Sequence, residues 1–259
     1  MAGTGTRYPT PNTRYLSPML GHQLVVVQDV HLGACPAATE EAFFDFLDEV
    51  PALGDSLLIN GDLFDFFFAW DRVIPRHTVR ATAALAHLRG RIPIVMTGGN
   101  HDRWGGTFWE SIGIPFAPLG MSIEVGYRKA LAIHGDGITE RHWSARVLFH
   151  LTKNPAVLAL FRLLHPDLAC RIVDRMTTHL GNTVIDPAVL IAAAERQAAW
   201  GRARLAAEPG LDLVVMGHTH RPASEAIGPK QHYLNPGAWL DGFRYAVVTA
   251  GGVELKQYT

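Results

Sequence analysis

The sequence predicts a layered α/β fold with a mixed β-sheet and a helical insertion late in the chain. Two observations predict the layers: strand-length apolar runs alternate with helix-length amphipathic segments, and pairs of strand-like segments follow toward the end. A third observation predicts the insertion, because residues 141–208 have a helical pattern almost throughout. With 259 residues and 48% apolar composition, the chain is long enough for one large domain with a sizeable buried core.

Predicted strands and helices alternate along the first half of the chain. Four predicted strands are apolar on both faces, as in the interior of a layered fold: Leu24–Gln28, Ser56–Asn60, Ile92–Thr97 and Leu211–Met216. The predicted helices are Thr39–Val50, with Thr39 as N-cap, Pro75–Arg89 and Trp104–Ile112. The other predicted strands are a pair within residues 121–134 that turns at Gly126, His232–Asn235, and a pair within residues 243–258.

Composition divides the chain into a tail, a main domain and a cap. Residues 1–20 are rich in Thr and Pro and are predicted as a loose tail, without the charged start and apolar middle of a signal peptide. Residues 21–259 are predicted as a single domain. The helical stretch 141–208 interrupts a series of polar motifs, so we expect it to cover them as a cap. Its apolar faces within Val147–Val173 have two possible roles. They either pack on the main domain, or they stay exposed and bind an apolar substrate or a bilayer surface.

Net charge and cysteine content argue against several function classes. A formal charge of −1 gives no reason to expect a nucleic-acid partner. Cys35 and Cys170, the two cysteines, do not form a CxxC pair. We therefore expect reduced thiols in a cytoplasmic protein rather than a zinc knuckle or a disulfide framework. The sequence contains no run of 18 apolar residues, so we expect no membrane-spanning helix.

Five short polar motifs follow predicted strands and carry most of the chemistry. They are, in chain order, Asp29-Val30-His31, Gly61-Asp62, Gly99-Asn100-His101-Asp102, His134-Gly135-Asp136 and Gly217-His218-Thr219-His220. Any one of them alone could be a turn with hydrogen-bonded histidines, but all five at strand ends favour a metal site. A mixed set of carboxylate, amide and imidazole donors suits a pair of divalent transition metals. The motifs therefore predict hydrolysis at phosphorus.

The spacing within the motifs divides the donors between two ions. Asp29 and His31 lie two residues apart at a strand end, on the same side, where both can bind one ion. Asp62 can bridge both ions, and the neutral amide of Asn100 avoids over-neutralising them. With Asp62 shared between the ions, the remaining donors are Asp29, His31 and His220 for the first ion, and Asn100, His134 and His218 for the second. Two ions about 3.5–4 Å apart would lower the pKa of a water between them and offset charge on the phosphoryl oxygens.

His101 is predicted to act on the substrate rather than on the metals. It adjoins Asn100, and both side chains are expected to face the phosphate, where His101 would serve as a general acid or as an electrostatic clamp. Asp102 is also assigned to the catalytic set, because its carboxylate would fix the tautomer of His101 through a hydrogen bond. Asp136 is expected to support a metal ligand from behind. Asp65 either makes a structural hydrogen bond or has a supporting or substrate-binding role.

At these residues the chain resembles the calcineurin-like metallophosphoesterase superfamily. The superfamily series D-x-H, G-D, G-N-H-D, H-G-D and G-H-T-H is matched in order over residues 29–220. The resemblance implies a four-layer α/β/β/α sandwich with a dinuclear site that has the ligand division given above. It also implies that the two divalent ions are manganese, iron or zinc, with manganese as the first expectation.

The chain is similar to the UDP-2,3-diacylglucosamine hydrolases of lipid A biosynthesis in three runs, DVHLG, GDLFDFF and GHTHRP, and in a helical insertion after HGD. This similarity implies cleavage of the pyrophosphate of an acylated UDP-sugar to UMP and 2,3-diacylglucosamine 1-phosphate. It also implies acyl chains under the cap and peripheral contact with the cytosolic face of the inner membrane. The chain departs from the pattern at His101, where many of those hydrolases carry Arg, and after Asp136.

Two alternative functions remain open at this stage. One is a broad-specificity phosphodiesterase or phosphatase that acts on a small soluble substrate. The other is a metal-bound scaffold without turnover. The first alternative predicts a cap with a polar inner face, whereas an acylated substrate requires an apolar one.

Overall fold

A computed structural model describes residues 18–139, 147, 149–181 and 186–259, with the backbone alone described for residues 176–181. Residues 1–17 of the predicted tail lie outside the described residues. The end of that tail departs from the prediction, because Met19–Leu20 form a short strand, β1. This strand pairs in parallel with Glu124 and Val125.

The elements follow one another largely as the pattern predicted. The described strands after β1 are β2 (Gln23–Val27), β3 (Ser56–Asn60), β4 (Ile94–Thr97), β5 (Phe116–Ala117), β6 (Met121–Val125), β7 (Arg128–Ala132), β8 (Leu213–Val215), β9 (Ala223–Ala226), β10 (His232–Asn235), β11 (Arg244–Thr249) and β12 (Gly252–Gln257). The α-helices that lie within the described residues include α1 (Ala37–Leu53), α2 (Val79–Arg89), α3 (Phe108–Ser111), α4 (Pro155–Arg162), α5 (Pro166–Gly181) and α6 (Pro187–Ala207).

The strands form two six-stranded mixed sheets. One sheet has the order β1-β6-β7-β8-β10-β9, and the other has the order β12-β11-β2-β3-β4-β5. In the second sheet, β2 to β5 are parallel, whereas β11 pairs antiparallel with both β2 and β12. In the first sheet, β7, β8 and β10 run parallel to one another. Each sheet therefore presents a row of strand carboxyl ends, and the five motifs follow β2, β3, β4, β7 and β8.

Apolar side chains pack these sheets and helices into four layers. Between the sheets, Val26 and Leu58 of one are fully buried in the same cluster as Val215 of the other. The outer face of the second sheet packs on α1 and α2, with Phe46 fully buried in that cluster. The outer face of the first sheet packs on α6, where Leu205 is fully buried. Burial of one such side chain contributes about 1.5–3 kcal/mol. The predicted α/β/β/α sandwich is confirmed.

Two helix starts differ from the prediction. α1 begins at Ala37, directly after Pro36, so that Thr39 lies buried inside the helix instead of at its N-cap. The predicted helix Pro75–Arg89 opens with a 3-10 turn and becomes α-helical only at Val79. In both cases a proline precedes the first turn, where its preset φ favours helix entry and its missing N–H carries no penalty.

Short elements account for the other differences. Within Trp104–Ile112 only Phe108–Ser111 is α-helical. Besides β1, two described strands have no counterpart in the prediction, Phe116–Ala117 and Ala223–Ala226. The latter is an edge strand with alternating half-buried and exposed residues, so it lacks the apolar run by which a strand is recognised.

The insertion between β7 and β8 is helical where it is described, but its helices do not pack together as one unit. α4 has no buried side chain. The second half of α6 instead carries Ala198 and Leu205 into the core of the first sheet and forms the fourth layer. The predicted cap of residues 141–208 therefore combines an outer part with a helix of the main domain. Its residues 141–146, 148 and 182–185 lie outside the described residues.

Candidate metal centre

The candidate ligands lie in loops at the carboxyl ends of strands from both sheets. Hydrogen bonds between backbone groups hold neighbouring loops together: Asp29 N donates to the carbonyl of Gly61 at 3.1 Å, and Val30 N donates to that of Asp62 at 2.9 Å. From the other sheet, His218 N lies 3.1 Å from Oδ2 of Asp29 and donates to it. The loops of the two sheets thus meet at one end of the sandwich.

Backbone strain is concentrated at the predicted ligands. Five of them have a positive φ between 51° and 67° although none is glycine: Asp29, His31, Asp62, His218 and His220. Such a conformation costs a non-glycine residue on the order of 1–3 kcal/mol and persists only where surrounding contacts impose it. Because this conformation recurs at five predicted ligands, the placement of the donor atoms, rather than local backbone preference, determines the conformation of the loops.

The side chains gather into two neighbouring groups that meet at Asp62. In one group, the donor atoms of Asp29, His31 and His220 lie within 4.8 Å of one another; in the other, those of Asp62, His134 and His218 do. Oδ2 of Asp62 lies 3.0 Å from Nε2 of His134 and 3.9 Å from Nε2 of His31. The Asp62 carboxylate is therefore adjacent to both groups, as a bridging ligand must be.

His101 lies close to donors of both groups, although the sequence analysis predicts that it acts on the substrate rather than on the metals. A ring nitrogen of His101 lies within 4.8 Å of donor atoms of His31 and Asp62. Its backbone N–H also donates to Oδ1 of Asp62 at 2.9 Å. The ring of His101 is therefore close enough to contact an ion or a substrate phosphate bound between the two donor groups.

Asn100 provides the clearest sign that the centre accommodates a cation. Its Oδ1 is buried and has no hydrogen-bond partner, and a buried carbonyl oxygen left unpaired costs about 1–3 kcal/mol. Close approach is made possible by glycine, because a Cβ on Gly99 would lie 2.0 Å from Oδ1 of Asp62. An oxygen donor without a partner beside carboxylates and imidazoles fits a divalent ion.

Buried carboxylates favour positive charge at the centre, and they raise the pKa of two neighbouring histidines. Burial acts to lower the pKa of His134, but Asp62 and Asp29 outweigh it and raise this pKa to about 10. Burial likewise opposes the rise in the pKa of His31, which Asp65 and Asp62 nonetheless raise to about 9. Burial acts to raise the pKa of Asp62, yet the surrounding histidines, His134 first, hold it well below its usual value. Divalent cations would supply positive charge at the same place.

Hydrogen bonds orient the imidazoles from behind. Nδ1 of His134 lies 3.0 Å from the backbone carbonyl of Asn60, and Nδ1 of His101 lies 2.8 Å from that of Asp65. If each Nδ1 carries its proton, each Nε2 is left available toward the centre.

Asp102 has a different position from the one predicted. Its carboxylate accepts hydrogen bonds from the backbone N–H groups of Leu63 at 2.7 Å and Gly99 at 2.8 Å, and from that of Asp62 at 3.2 Å. The Nδ1 side of the His101 ring instead faces Asp65, whose Oδ1 lies 3.4 Å from Nδ1. Asp102 thus joins two ligand loops, and Asp65 takes the orienting role that the sequence analysis gave to Asp102.

Asp136 lies behind the centre in a buried ion pair. Its carboxylate pairs with Arg103, and Nζ of Lys153 lies 3.9 Å away. Burial acts to raise the pKa of Asp136, but Arg103 and His134 outweigh this effect and lower it. The support of a metal ligand by Asp136 stays a prediction.

The sequence analysis missed a buried network of amides that connects the ligand loops. Gln28 donates to Asn235 at 2.9 Å and accepts from Asn60 at 3.0 Å. Asn235 in turn donates to Gln197 of α6, which donates to the carbonyl of Gly217 at 2.8 Å. One signal was present, because Gln28 and Asn60 are polar ends of otherwise apolar strand runs.

The described residues contain no helix with both the length and the apolar character needed to cross a bilayer. Cys35 and Cys170 are both half-buried, without a disulfide between them.

The fold and the donor set define a class of protein. A model of the calcineurin-like phosphoesterase family matches residues 23–222. The chain therefore belongs to that family and is a metal-dependent phosphoester hydrolase that acts on a phosphate-containing substrate.

Among curated proteins, the chain is similar to the UDP-2,3-diacylglucosamine hydrolase of Proteus mirabilis. The two are 27% identical over 236 residues, which cover 90% of this chain and 97% of that protein. The enzyme of the same name from Bordetella pertussis is 27% identical over 216 residues, 79% of each chain. Among solved structures, the chain is similar to Yfce, a phosphoesterase from E. coli, with a TM-score of 0.44 and 13% identity over 92% of this chain and 100% of that one.

Proposed function

We propose that the protein hydrolyses the pyrophosphate bond of UDP-2,3-diacylglucosamine, or of a similar nucleotide-linked acyl sugar, to a nucleoside monophosphate and a sugar 1-phosphate. The observation that carries the proposal is the convergence of Asp29, Asp62 and the four histidines of the two donor groups. The similarity to two UDP-2,3-diacylglucosamine hydrolases over most of the chain supports this choice of substrate.

Seven side chains would hold two divalent ions, with manganese as the first expectation and iron or zinc as alternatives. The proposed ligands are Asp29, His31, Asp62 and His220 for the first ion, and Asp62, Asn100, His134 and His218 for the second. Once bound, the ions would acidify a water molecule and offset negative charge on the phosphoryl group. The unpaired Oδ1 of Asn100 and the position of Asp62 between the donor groups support this division.

His101 and Asn100 are the proposed contacts to the scissile phosphate. Because the Nδ1 side of His101 is held by Asp65, its Nε2 would face the substrate as a general acid toward the leaving oxygen or as an electrostatic clamp. Asp102 would act through the backbone, since its carboxylate joins the loops of Asp62 and Gly99.

The exposed apolar side chains of the cap support an acylated substrate. Leu160 is 68% exposed and Leu163 is 82% exposed, both at the end of α4. On one flank of α4, the ring of Phe161 contacts Phe66 and Phe68 in the loop that follows Asp62. We propose that this surface meets the acyl chains and the cytosolic face of a membrane, where such a substrate resides.

The test is release of UMP from UDP-2,3-diacylglucosamine by purified protein with MnCl₂, measured by chromatography. UDP-N-acetylglucosamine, which lacks the long acyl chains, and bis-p-nitrophenyl phosphate serve as parallel substrates. We expect the acylated substrate to be cleaved with the highest kcat/KM.

Cleavage of the simple phosphodiester while the acylated UDP-sugar stays intact would replace the proposal with a broad-specificity phosphodiesterase. Failure on all three substrates with both metal sites filled would favour a non-catalytic scaffold.

A further inference from the structure

Asp241 lies in the loop between β10 and β11, outside the five motifs. Its Oδ2 lies 2.8 Å from Nδ1 of His220. The other ring nitrogen of His220, Nε2, lies 3.5 Å from Oδ1 of Asp29. One edge of the imidazole therefore meets a carboxylate, and the opposite edge meets a donor assigned to the first ion.

The position of Asp241 is determined by the loop that carries it. Leu240 N donates to the carbonyl of Asp29 at 3.1 Å, so the loop is hydrogen-bonded to the ligand loop itself. Trp239 anchors the same segment, because its side chain is fully buried and its ring centroid lies 4.8 Å from that of Phe46. Asp241 is therefore held against His220 by backbone hydrogen bonds and core packing, although its own side chain is 52% exposed.

His220 differs from His134 in the kind of support that it receives. Nδ1 of His134 faces the neutral backbone carbonyl of Asn60. A carboxylate against Nδ1 does more than a carbonyl: it selects the Nδ1–H tautomer and makes Nε2 a more basic metal ligand. His220 is also 30% exposed, whereas His134 is 1% exposed, so His220 has less surrounding structure to keep its ring in place.

We propose that Asp241 is a positioning residue for the first metal ion: it holds the ring of His220 with Nε2 directed toward Asp29. The inference rests on the proposed dinuclear site but not on the identity of the substrate. Asp241 touches neither the ion nor the substrate and acts through His220.

The test is manganese binding to metal-free protein by isothermal titration calorimetry, comparing the wild type with Asp241→Ala and Asp241→Asn. For Asp241→Ala we expect the affinity of one ion to fall about 10–100-fold while that of the other changes little. Asp241→Asn should lie between alanine and wild type, because its amide oxygen still accepts from Nδ1–H without the charge. Asp71→Ala is the matched control, because it removes an exposed carboxylate that pairs with Arg162 of the cap.

A kinetic readout separates positioning from general damage. In Asp241→Ala, the manganese concentration for half-maximal activity on bis-p-nitrophenyl phosphate should rise by the same factor, and kcat at saturating manganese should recover to near the wild-type value. Unchanged affinity in Asp241→Ala, or equal weakening of both ions, would overturn the inference; if the alanine variant does not fold, wild-type affinity in Asp241→Asn would do so. Two ions bound by the wild type without cleavage of UDP-2,3-diacylglucosamine would reject the proposed substrate alone.

Discussion

The ligand loops and the outer part of the cap contrast in burial and in backbone constraint. Asp29 is fully buried and Asp62 is 2% exposed, and both adopt strained backbone conformations that neighbouring loops impose. α4 of the cap has no buried side chain and leaves Leu160 and Leu163 largely in solvent. We therefore propose that the buried ligand loops carry the chemistry and that the exposed surface of the cap sets substrate preference. A change in the loops should therefore affect every substrate, and a change in the cap should affect only some.

Asp62→Ala should have the largest effect, because it removes the carboxylate adjacent to both donor groups. We expect the activity on every substrate to fall on the order of 10³-fold or more, together with metal content. Steady-state kinetics and elemental analysis of the purified variant measure the two effects. Asp71→Ala is the control for loss of a carboxylate outside the centre. Full metal content in Asp62→Ala would contradict the assignment of metal binding to the ligand loops.

His101→Ala should have the next largest effect. We expect kcat to fall about 10²–10⁴-fold, the range for loss of a general acid, while both ions remain bound. The measurement pairs kcat with metal content, and His165→Ala of the cap serves as the exposed-histidine control. Loss of a metal ion in His101→Ala would instead make His101 a ligand, since its ring nitrogen lies within 4.8 Å of donor atoms of His31 and Asp62.

The double change Leu160→Ser and Leu163→Ser should have the smallest effect and the most selective one. Because partial burial of each side chain against an acyl chain contributes about 1 kcal/mol, the two together contribute about 2 kcal/mol, and we expect KM for the acylated UDP-sugar to rise about 30-fold. Activity on bis-p-nitrophenyl phosphate should not change, since this substrate has no acyl chain. Leu255→Ser, on β12, is the control for loss of an exposed leucine. An equal loss on both substrates would show that the cap supports the metal centre instead of selecting the substrate.

The same contrast explains which predictions from sequence succeeded. Buried parallel strands such as Ser56–Asn60 are recognisable because both faces are apolar, and their ends locate the polar motifs. The role of Asp102 was mistaken because adjacency in sequence suggested contact with His101, whereas its side chain turns to backbone N–H groups of two loops. Asp241 has no motif around it and reaches His220 only after β11 pairs with β2.

The sequence by itself determined the layered α/β class and the residues available to bind metal, since strand periodicity and donor chemistry are local properties. Only the tertiary structure decided which partners orient those donors. It assigned Asp65 to His101, Asp241 to His220 and the amide of Gln197 to the loop of Gly217. The physical reason is that a hydrogen bond depends on distances of about 3 Å and on direction, which are set only when separate strands and loops pack together.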